Sequence, residues 1–511
     1  MYLNHPVPIL RLVLRLAVVL LCCSGCDATT HRDAPPALSA AAPSATPPAK
    51  ETWYVITMQD KPIGYRRITM HELPGEKQPL RRIESLDQLS IQRFGQATEQ
   101  QLRVVSMESP SGAVQSLEYQ VQLGQTPKQV RGTVRGDRLV FQQIGGDGAP
   151  LATLPWSQEV GGYFAIEQSL RRSPMQPGEK RTVQVVLPLL DAITKVELVA
   201  QAHETTELLV TEFRLLKIDE SIPLPDGTTM EAELWVDEQG EVLKQVQPPL
   251  VVYRATRSLA LDAGKAQSFD LGYDVIVPVD RPLPEPQQLR RAVYEVTMED
   301  GDPAELFPSS PAQQVRLTGP DTARLIVETD PTARSGEVEA DRPMAADREA
   351  SRLIESEHEA IVQLANRAIA EATGPRRQAI ALENFVHGFV EQKDYSRAFA
   401  SAAEVAATRE GDCTEHAVLL AALCRAADIP CRVAIGLVYL PSAQGFAYHM
   451  WNEAWIDGQW LPLDATQGQG RVGADHLTLA TSSLQNASAY TSLLPVLQAI
   501  GRLKIRIVET R

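Results

Sequence analysis

The segment from Arg409 to Thr466 most constrains this chain, because it joins a helix start to a two-residue hairpin. Asp412 is a good helix N-cap, and Glu415 lies three positions later, which is the spacing of a capping box. Cys413 is therefore predicted at the first helical position. The positive end of the helix dipole stabilises a thiolate there, and neighbouring backbone N–H groups could donate to an oxyanion. The apolar face of the predicted helix is formed by Leu419, Leu420, Leu423 and Ala427.

The second half of this segment predicts a β-hairpin. Residues 446–456 form the first predicted strand, Asp457-Gly458 the turn, and residues 459–464 the returning strand. Asp-Gly is a favoured two-residue turn because both positions tolerate positive φ. The length of the turn decides the pairing of the two strands, since one residue more or less would move every later side chain to the opposite face.

The predicted pairing brings a histidine and an aspartate together. With the Asp-Gly turn, Trp451 faces Asp464 and His449 faces Thr466. His449 and Trp451 share one face of the strand, so Asp464 is a diagonal neighbour of His449. A carboxylate there would fix the imidazole tautomer and stabilise the imidazolium. His449 could then take a proton from a thiol and give one to a leaving amine.

Four separated blocks of residues closely resemble the bacterial transglutaminase-like core. The blocks are Gly411-Asp412-Cys413-Thr414-Glu415-His416-Ala417, Leu423-Cys424-Arg425-Ala426-Ala427-Asp428-Ile429-Pro430-Cys431-Arg432, His449-Met450-Trp451-Asn452-Glu453 and Trp460-Leu461-Pro462-Leu463-Asp464-Ala465-Thr466. The resemblance covers about residues 345–480. It implies a papain-like α+β fold, with Cys413 as the nucleophile, His449 as the general base and acid, and Asp464 as the orienting carboxylate.

The resemblance also implies a reaction class. Members of this family include transglutaminases, peptidases and amidases, so the implied reaction is acyl transfer from an amide through a thioester. Either water or an amine could accept the acyl group. The implied substrate is a protein or peptide, and the family chemistry implies no metal or organic cofactor.

Two alternatives for the reactive residues stay open. A buried structural cysteine is the ordinary interpretation of any single cysteine, although the capped helix start of Cys413 favours a nucleophile. A zinc site could combine Cys413 and His416 with Cys424, Cys431 or His449. The Cys-x-x-Cys spacing typical of zinc sites is absent, and a Cys-His-Asp triad accounts for the same residues.

Several neighbours of the predicted triad are interpreted as packing residues. His416 has no identifiable orienting acid, so helix packing or a secondary contact is expected. Trp455 and Trp460 are expected to pack in the core and hairpin, whereas Trp451 could line the cleft. Tyr395 is a candidate for a second oxyanion donor.

The six cysteines lie at the two ends of the chain, and residues between 27 and 412 include none. This distribution argues against a disulfide-stabilised scaffold. Cys424 and Cys431 could form a disulfide in an oxidising compartment. Comparison with the resembling family favours two packed thiols instead.

The N-terminus predicts export. Residues 1–26 combine Arg11 and Arg15 with a short apolar run and small residues, as in a signal peptide, and the run is too short for a standard membrane-spanning helix. A shortened membrane anchor is the alternative. Ser24-Gly25-Cys26 resembles the lipobox of bacterial lipoproteins, which implies that Cys26 is lipidated. Residues 27–50 are rich in Ala and Pro and predict a tether, which would hold the protein at the cell envelope, facing the periplasm.

The rest of the chain predicts an α+β multidomain protein. Residues 51–288 carry short β-branched and aromatic runs between Gly, Pro and Asp turns, which predicts an antiparallel β domain. A small β module and linker are predicted over 289–342, and the papain-like, transglutaminase-like α+β domain over 343–511. Helical periodicity begins near Asp347, Gly374-Pro375 is a predicted helix stop, and a second helix follows. Alternating apolar residues predict a closing strand at Leu503, Ile505 and Ile507.

Composition limits the function classes. The chain is 44% hydrophobic and 22% charged, which is typical of globular proteins. Its net charge of -15 and its lack of a basic run argue against nucleic-acid binding. The sequence thus predicts an exported cysteine enzyme that breaks or exchanges amide bonds. The rival is a catalytically silent transglutaminase-like domain that serves as a scaffold, which a complete Cys-His-Asp set disfavours.

Overall fold

A computed structural model gives the fold of the protein. It describes residues 50–75, 79–93, 95–122, 128–146, 148–209, 211–225, 227–266, 268–329, 342–392, 400–485 and 492–511. The predicted export signal, the predicted lipidation site Cys26 and all but the last residue of the predicted tether lie outside these ranges. Within the described ranges, no helix is both long enough and apolar enough to cross a membrane.

The N-terminal part of the chain forms one antiparallel sheet of fourteen strands, in agreement with the predicted antiparallel β architecture. Its strands are β1 (Lys50–Met58), β2 (Lys61–Leu73), β3 (Leu80–Arg93), β4 (Gln96–Glu108), β5 (Val114–Gln122), β6 (Lys128–Arg135), β7 (Arg138–Gln143), β8 (Pro150–Pro155), β9 (Lys180–Leu187), β10 (Ala192–Leu208), β11 (Thr211–Pro223), β12 (Thr229–Val236), β13 (Val242–Gln247) and β14 (Leu250–Ala255). Consecutive strands are neighbours, except that β8 and β9 stand at the two ends of the strand order. β1 joins the two halves by pairing with both β2 and β14. Alternate side chains are buried, as in β5, because successive residues of a strand point to opposite faces.

A second sheet carries the predicted histidine. It contains β15 (Val277–Pro278), β19 (Cys431–Leu440), β20 (Gly445–Ile456), β21 (Gln459–Leu463) and β22 (His476–Ser482). The strands lie in the order β15-β20-β19-β22, and β21 also pairs with β20. The chain therefore leaves the large sheet after β14 and contributes the short strand β15 to the sheet of His449.

A third sheet is closed by the C-terminal strand. It contains β16 (Arg291–Met298), β17 (Gln313–Leu317), β18 (Thr322–Glu328) and β23 (Leu503–Thr510), in the order β17-β18-β16-β23. The predicted closing strand is confirmed: its apolar residues are buried, its Lys and Arg residues point outward, and Ile505 pairs with Val296.

Eight α-helices lie within the described residues. They are α1 (Ala165–Arg172), α2 (Arg257–Ala263), α3 (Pro303–Leu306), α4 (Glu359–Ile369), α5 (Pro375–Phe389), α6 (Ala402–Thr408), α7 (Cys413–Ala426) and α8 (Leu494–Ala499). The helix expected from near Asp347 begins later, at Glu359. The reason is a local turn, in which the Ser351 N–H donates to the Ile354 carbonyl at 2.7 Å and the Ser351 hydroxyl accepts from the Ile354 N–H. Pro375 opens α5, consistent with the preference of proline for the first helical position.

The helix that begins at Cys413 lies at the centre of the C-terminal part. Nearly every side chain of α7 is buried, as expected for a helix that is apolar on all sides. It packs against α4, α5, α6 and β20. The Asn452 amide of β20 donates to the carbonyl of Ala417 at 2.9 Å, which fixes the helix against the sheet of His449.

Candidate active site

The capped helix start that the sequence predicted is present. The Thr414 N–H donates to Asp412 Oδ1 at 2.9 Å, and the Asp412 N–H donates to Glu415 Oε2 at 3.1 Å. These two bonds form the capping box, and α7 begins at Cys413. The Cys413 side chain is completely buried. Burial and the helix start together place this thiol in a low-dielectric environment beside the positive end of a helix dipole.

The predicted hairpin and its register are also present. Asp457 and Gly458 both have positive φ, at 52° and 84°, which is the conformation of the favoured two-residue turn. Ile456 pairs with Gln459, and the pairing continues regularly to Asn452 opposite Leu463. Asp464 directly follows β21 and lies where this register carries it, on the face of β20 that holds His449.

His449 and Asp464 form a buried hydrogen-bonded pair. His449 Nε2 lies 3.0 Å from Asp464 Oδ2, and the two residues are 3% and 1% exposed. The other carboxylate oxygen, Oδ1, accepts from the Thr466 N–H at 2.9 Å. Because Nε2 is bonded to the carboxylate, Nδ1 is the ring nitrogen left for proton exchange with a nucleophile.

The electrostatics of the site favour a charged imidazole. Burial disfavours the imidazolium, but the charge and hydrogen bond of Asp464 outweigh it, and Cys413 adds a hydrogen bond and its own charge. Together they raise the pKa of His449 to about 10. Burial acts in the same way against the Asp464 carboxylate, yet the His449 charge holds the pKa of Asp464 far below its usual range. A charged imidazole beside an ionised Asp464 is thus favoured at neutral pH.

Two residues that contact Asp464 were not predicted from the sequence. Glu383 on α5 accepts from the Asp464 N–H at 3.0 Å, and His476 at the start of β22 lies 3.5 Å from Asp464 Oδ2 through its Nε2. The sequence feature that could have indicated Glu383 is an acidic residue among the buried apolar residues of an amphipathic helix. For His476 it was the Asp475-His476 pair that opens a strand.

The buried carboxyl of Glu383 has a raised pKa. Burial raises it to about 7, and the nearby Asp464 charge acts in the same direction. The native state therefore holds this proton over pH values at which the unfolded chain, with an ordinary pKa near 4.5, has released it. Its contribution to stability is full below about pH 4.5 and is lost as the pH rises toward 7.

Glu383→Gln is expected to remove this pH dependence. The difference in unfolding free energy between wild type and Glu383→Gln should change by about 3 kcal/mol between pH 4.5 and 7, with wild type losing stability as the pH rises. The glutamine keeps a carbonyl oxygen for the Asp464 N–H. Urea unfolding of both proteins at pH 4.5, 5.5, 7 and 8 measures the difference. If the unfolding free energies of the two proteins changed in parallel with pH across this range, the expected titration of Glu383 would be contradicted.

The other predicted neighbours have defined positions. The ring Nδ1 of His416 lies 2.6 Å from the carbonyl oxygen of Asp412, so this histidine makes a secondary contact at the helix start. Cys424 and Cys431 are free, buried thiols, in agreement with packed thiols rather than a disulfide. Contact with Cys431 and burial raise the pKa of Cys424. Tyr395, the candidate oxyanion donor, lies outside the described residues.

Three tryptophans border a cleft beside the pair. Trp451 stacks on His449 at 6.1 Å between ring centroids and makes an edge contact with His476 at 5.0 Å. Trp455 and Trp460 face each other across the hairpin, 5.2 Å apart. All three tryptophans and His476 line a cleft of about 200 Å³. Trp451 lines the cleft as expected, whereas Trp455 and Trp460 combine the expected packing with a cleft-lining position.

One group of residues could also hold a metal ion. His449, Asp464 and His476 place their donor atoms within 4.8 Å of one another, and imidazole and carboxylate suit transition metals. This set differs from the zinc ligands considered from the sequence, of which only His449 belongs to it. Two of its members are the imidazole and carboxylate of the hydrogen-bonded pair, so a cation here would compete with the hydrogen bond between them.

Comparison with known proteins agrees with the motifs. Residues 362–465 match the family model of the transglutaminase-like superfamily, which confirms the predicted resemblance for this segment. The matched segment includes Cys413, His449 and, next to its end, Asp464. No curated protein matches the chain.

Comparison with solved structures found matches at low sequence identity and low TM-score. A candidate cysteine protease from Cytophaga hutchinsonii is 16% identical, with a TM-score of 0.28, over 43% of this chain and 86% of that one. A β-barrel-like protein of the domain of unknown function DUF1849 from Brucella abortus is 6% identical, with a TM-score of 0.30. The match covers 40% of this chain and 94% of that one. A candidate protease from Parabacteroides distasonis is 10% identical, with a TM-score of 0.18. The match covers 68% of this chain and 64% of that one.

Proposed function

We propose that this protein is a cysteine enzyme that cleaves or transfers amide bonds of protein or peptide substrates. In this proposal Cys413 is the nucleophile, His449 the general base and acid, and Asp464 the orienting carboxylate of a papain-like site. The observation that carries it is the buried 3.0 Å contact between His449 and Asp464, next to a cysteine at a capped helix start. A matched segment of the transglutaminase-like superfamily around all three residues supports it.

The proposed reaction has two steps. The Cys413 thiolate attacks the amide carbonyl carbon, and the His449 imidazolium gives its proton to the departing amine as the C–N bond breaks. This leaves a thioester on Cys413. Water or an amine then attacks the thioester while His449 takes its proton, and the thiolate leaves. Asp464 stays ionised throughout and stabilises the imidazolium each time it forms.

The surroundings of the pair support a peptide substrate. The cleft beside Trp451 is walled by indole rings, and its charged residues include an ion pair, since Arg432 lies 2.7 Å from Glu453. Arg432 also lies over the Trp460 ring, 4.1 Å from its centroid. A cleft that combines aromatic walls with polar and charged side chains suits a bound peptide, which carries both apolar groups and backbone hydrogen-bonding groups. Part of the proposal is a location at the cell envelope, facing the periplasm, which rests on the export signal and the lipidation site Cys26 that the sequence predicts.

One observation favours the rival proposal of a catalytically silent scaffold. Cys413 is completely buried, whereas a nucleophile must meet its substrate. The two proposals differ in the reactivity of the thiol, which can be measured without knowing the substrate.

Alkylation of the full-length protein with iodoacetamide tests the proposal. The rate at Cys413 is followed across pH by peptide mass spectrometry, which separates it from the other cysteines, and Cys413→Ala identifies the signal. Wild-type Cys413 is expected to keep its alkaline rate down to pH 6, because the imidazolium holds the thiolate. A thiol that reacts only near its ordinary pKa of about 8.5 would refute the enzyme and favour the scaffold. Gln-containing peptides with and without an added amine then separate transfer from hydrolysis.

A further inference from the structure

The carboxylate of Asp464 has two histidine partners on one oxygen. Oδ2 lies 3.0 Å from Nε2 of His449 and 3.5 Å from Nε2 of His476. The second histidine is held in turn by its neighbour, because His476 Nδ1 lies 2.9 Å from Asp475 Oδ1. Asp475, His476, Asp464 and His449 thus form a row of alternating carboxylates and imidazoles that ends at the proposed base. The contact between His476 and Asp464 is the longest of the row and is an ion-pair contact rather than a hydrogen bond.

His476 is fixed in place by contacts from several elements. The carbonyl of Asp475 accepts from the Tyr439 N–H of β19 at 3.1 Å, and the carbonyl of Ala474 accepts from the Tyr294 hydroxyl of β16 at 2.8 Å. The Trp451 ring meets the imidazole edge-on at 5.0 Å. Asp475 and His476 are both buried. With its Nδ1 side held by Asp475, the ring has its Nε2 3.5 Å from Asp464 Oδ2.

The charges around Asp464 are arranged in pairs. Two carboxylates, Asp464 and Asp475, meet two imidazoles, His449 and His476. Other titratable groups that face this cluster, among the described residues, include Glu383 on α5, Cys413 on α7 and Tyr294 on β16. Buried carboxylates are stable only when their oxygens are bonded or paired. Without His476, one side of Oδ2 would face the interior without a partner, and the carboxylate could turn about its bond to the rest of the side chain.

We propose that His476, held by Asp475, is a positioning residue that keeps Asp464 Oδ2 on His449 Nε2. The Thr466 N–H holds Oδ1, so His476 completes the restraint on both oxygens of the carboxylate. The role is that of the outer hydrogen-bond partners that orient the ligands of metal sites, whose loss costs about 10–100-fold. The inference rests on the proposed function, since it concerns the carboxylate of the proposed triad.

Two variants of His476 test this role in the full-length protein. His476→Phe keeps an aromatic ring against Trp451 but cannot donate to Asp464, and His476→Gln keeps a donor of similar reach. The readout is the iodoacetamide rate at Cys413 at pH 6, divided by the alkaline plateau of the same protein. We expect His476→Phe to lower this ratio about tenfold and His476→Gln to restore it to within about threefold of wild type.

Control variants separate positioning from folding. His387→Phe removes a histidine that contacts the Ala465 carbonyl and not Asp464, and it should leave the ratio unchanged. Circular dichroism establishes that each variant is folded. Should His476→Phe fail to fold, Asp475→Asn replaces it, because it preserves shape but removes the charge that holds His476, and it should lower the ratio severalfold.

Three outcomes would overturn the inference. The first is an unchanged ratio in folded His476→Phe and Asp475→Asn, which would show a purely structural role. The second is thiolate reactivity that extends to lower pH in His476→Phe, which would show that His476 competes with His449 for Asp464. The third is a change of the wild-type ratio on adding a chelator, which would assign the cluster to a metal. An ordinary thiol profile in wild type itself would instead refute the proposed function.

Discussion

Replacing His449 with alanine is expected to make the reactivity of Cys413 steeply dependent on pH. Without an imidazolium partner, the thiol should titrate at or above its ordinary pKa of about 8.5, so its rate at pH 6 should be about 300-fold below its own alkaline plateau. In wild type, burial lowers the pKa of His449, but the charge and hydrogen bond of Asp464 outweigh burial and help to raise this pKa to about 10. The alkylation rate at pH 6 should therefore stay close to the plateau.

The same iodoacetamide assay measures this effect. Normalising each protein to its alkaline plateau removes differences in accessibility between the variant and wild type. His387→Ala is the matched control. It removes another histidine, whose ring contacts the Ala465 carbonyl, and it leaves the His449–Asp464 pair in place. Equal normalised rates in wild type and His449→Ala would show that His449 does not act on Cys413.

Replacing Glu415 with alanine is expected to destabilise the start of α7 by about 4 kcal/mol. Glu415 accepts two hydrogen bonds from buried backbone groups, one from the Ala400 N–H and one from the Asp412 N–H, both at 3.1 Å. Alanine would leave both donors unsatisfied in the interior, at a cost of about 1–3 kcal/mol each. Since Asp412 and Cys413 form the helix start, Cys413, the proposed nucleophile, would lose its fixed position as well.

A second capping box in the chain supplies the control. Ser401 and Glu404 form the same motif at the start of α6, but Glu404 is exposed, so water can replace its carboxylate. Glu404→Ala is expected to cost only about 1 kcal/mol. Hydrogen exchange of peptides from α6 and α7 measures the opening free energy in each variant. Equal losses in the two variants would contradict the importance of burial at Glu415.

Some of the site could be predicted from short stretches of sequence. The capping box of Asp412 and Glu415, the position of Cys413 and the Asp457-Gly458 turn depend on residues within a few positions of one another, and all of them are present. The hairpin register followed from the turn alone, and it carried Asp464 to His449. Local hydrogen bonds and the two-residue period of a strand are sufficient for such inferences.

One local prediction was wrong for a reason that is also local. The apolar spacing after Asp347 suggested an early helix, but Ser351 bonds the backbone of Ile354 and forms a turn. Serine side chains can form hydrogen bonds with nearby backbone groups in place of the helical hydrogen bonds. The spacing of apolar residues contains no information about this alternative. The helix therefore begins only after His358, whose side chain accepts from the Ala360 N–H.

By itself, the sequence determined the capped helix start, the hairpin and the family resemblance, because each depends on neighbours along the chain or on motif order. Only the tertiary structure decided what surrounds Asp464. Glu383 reaches it from 81 positions away, and His476 arrives on a strand whose place beside β19 depends on sheet pairing. The C-terminal strand likewise finds its partner β16 about 200 residues earlier. Such contacts form when elements pack, and no local preference specifies which elements will meet.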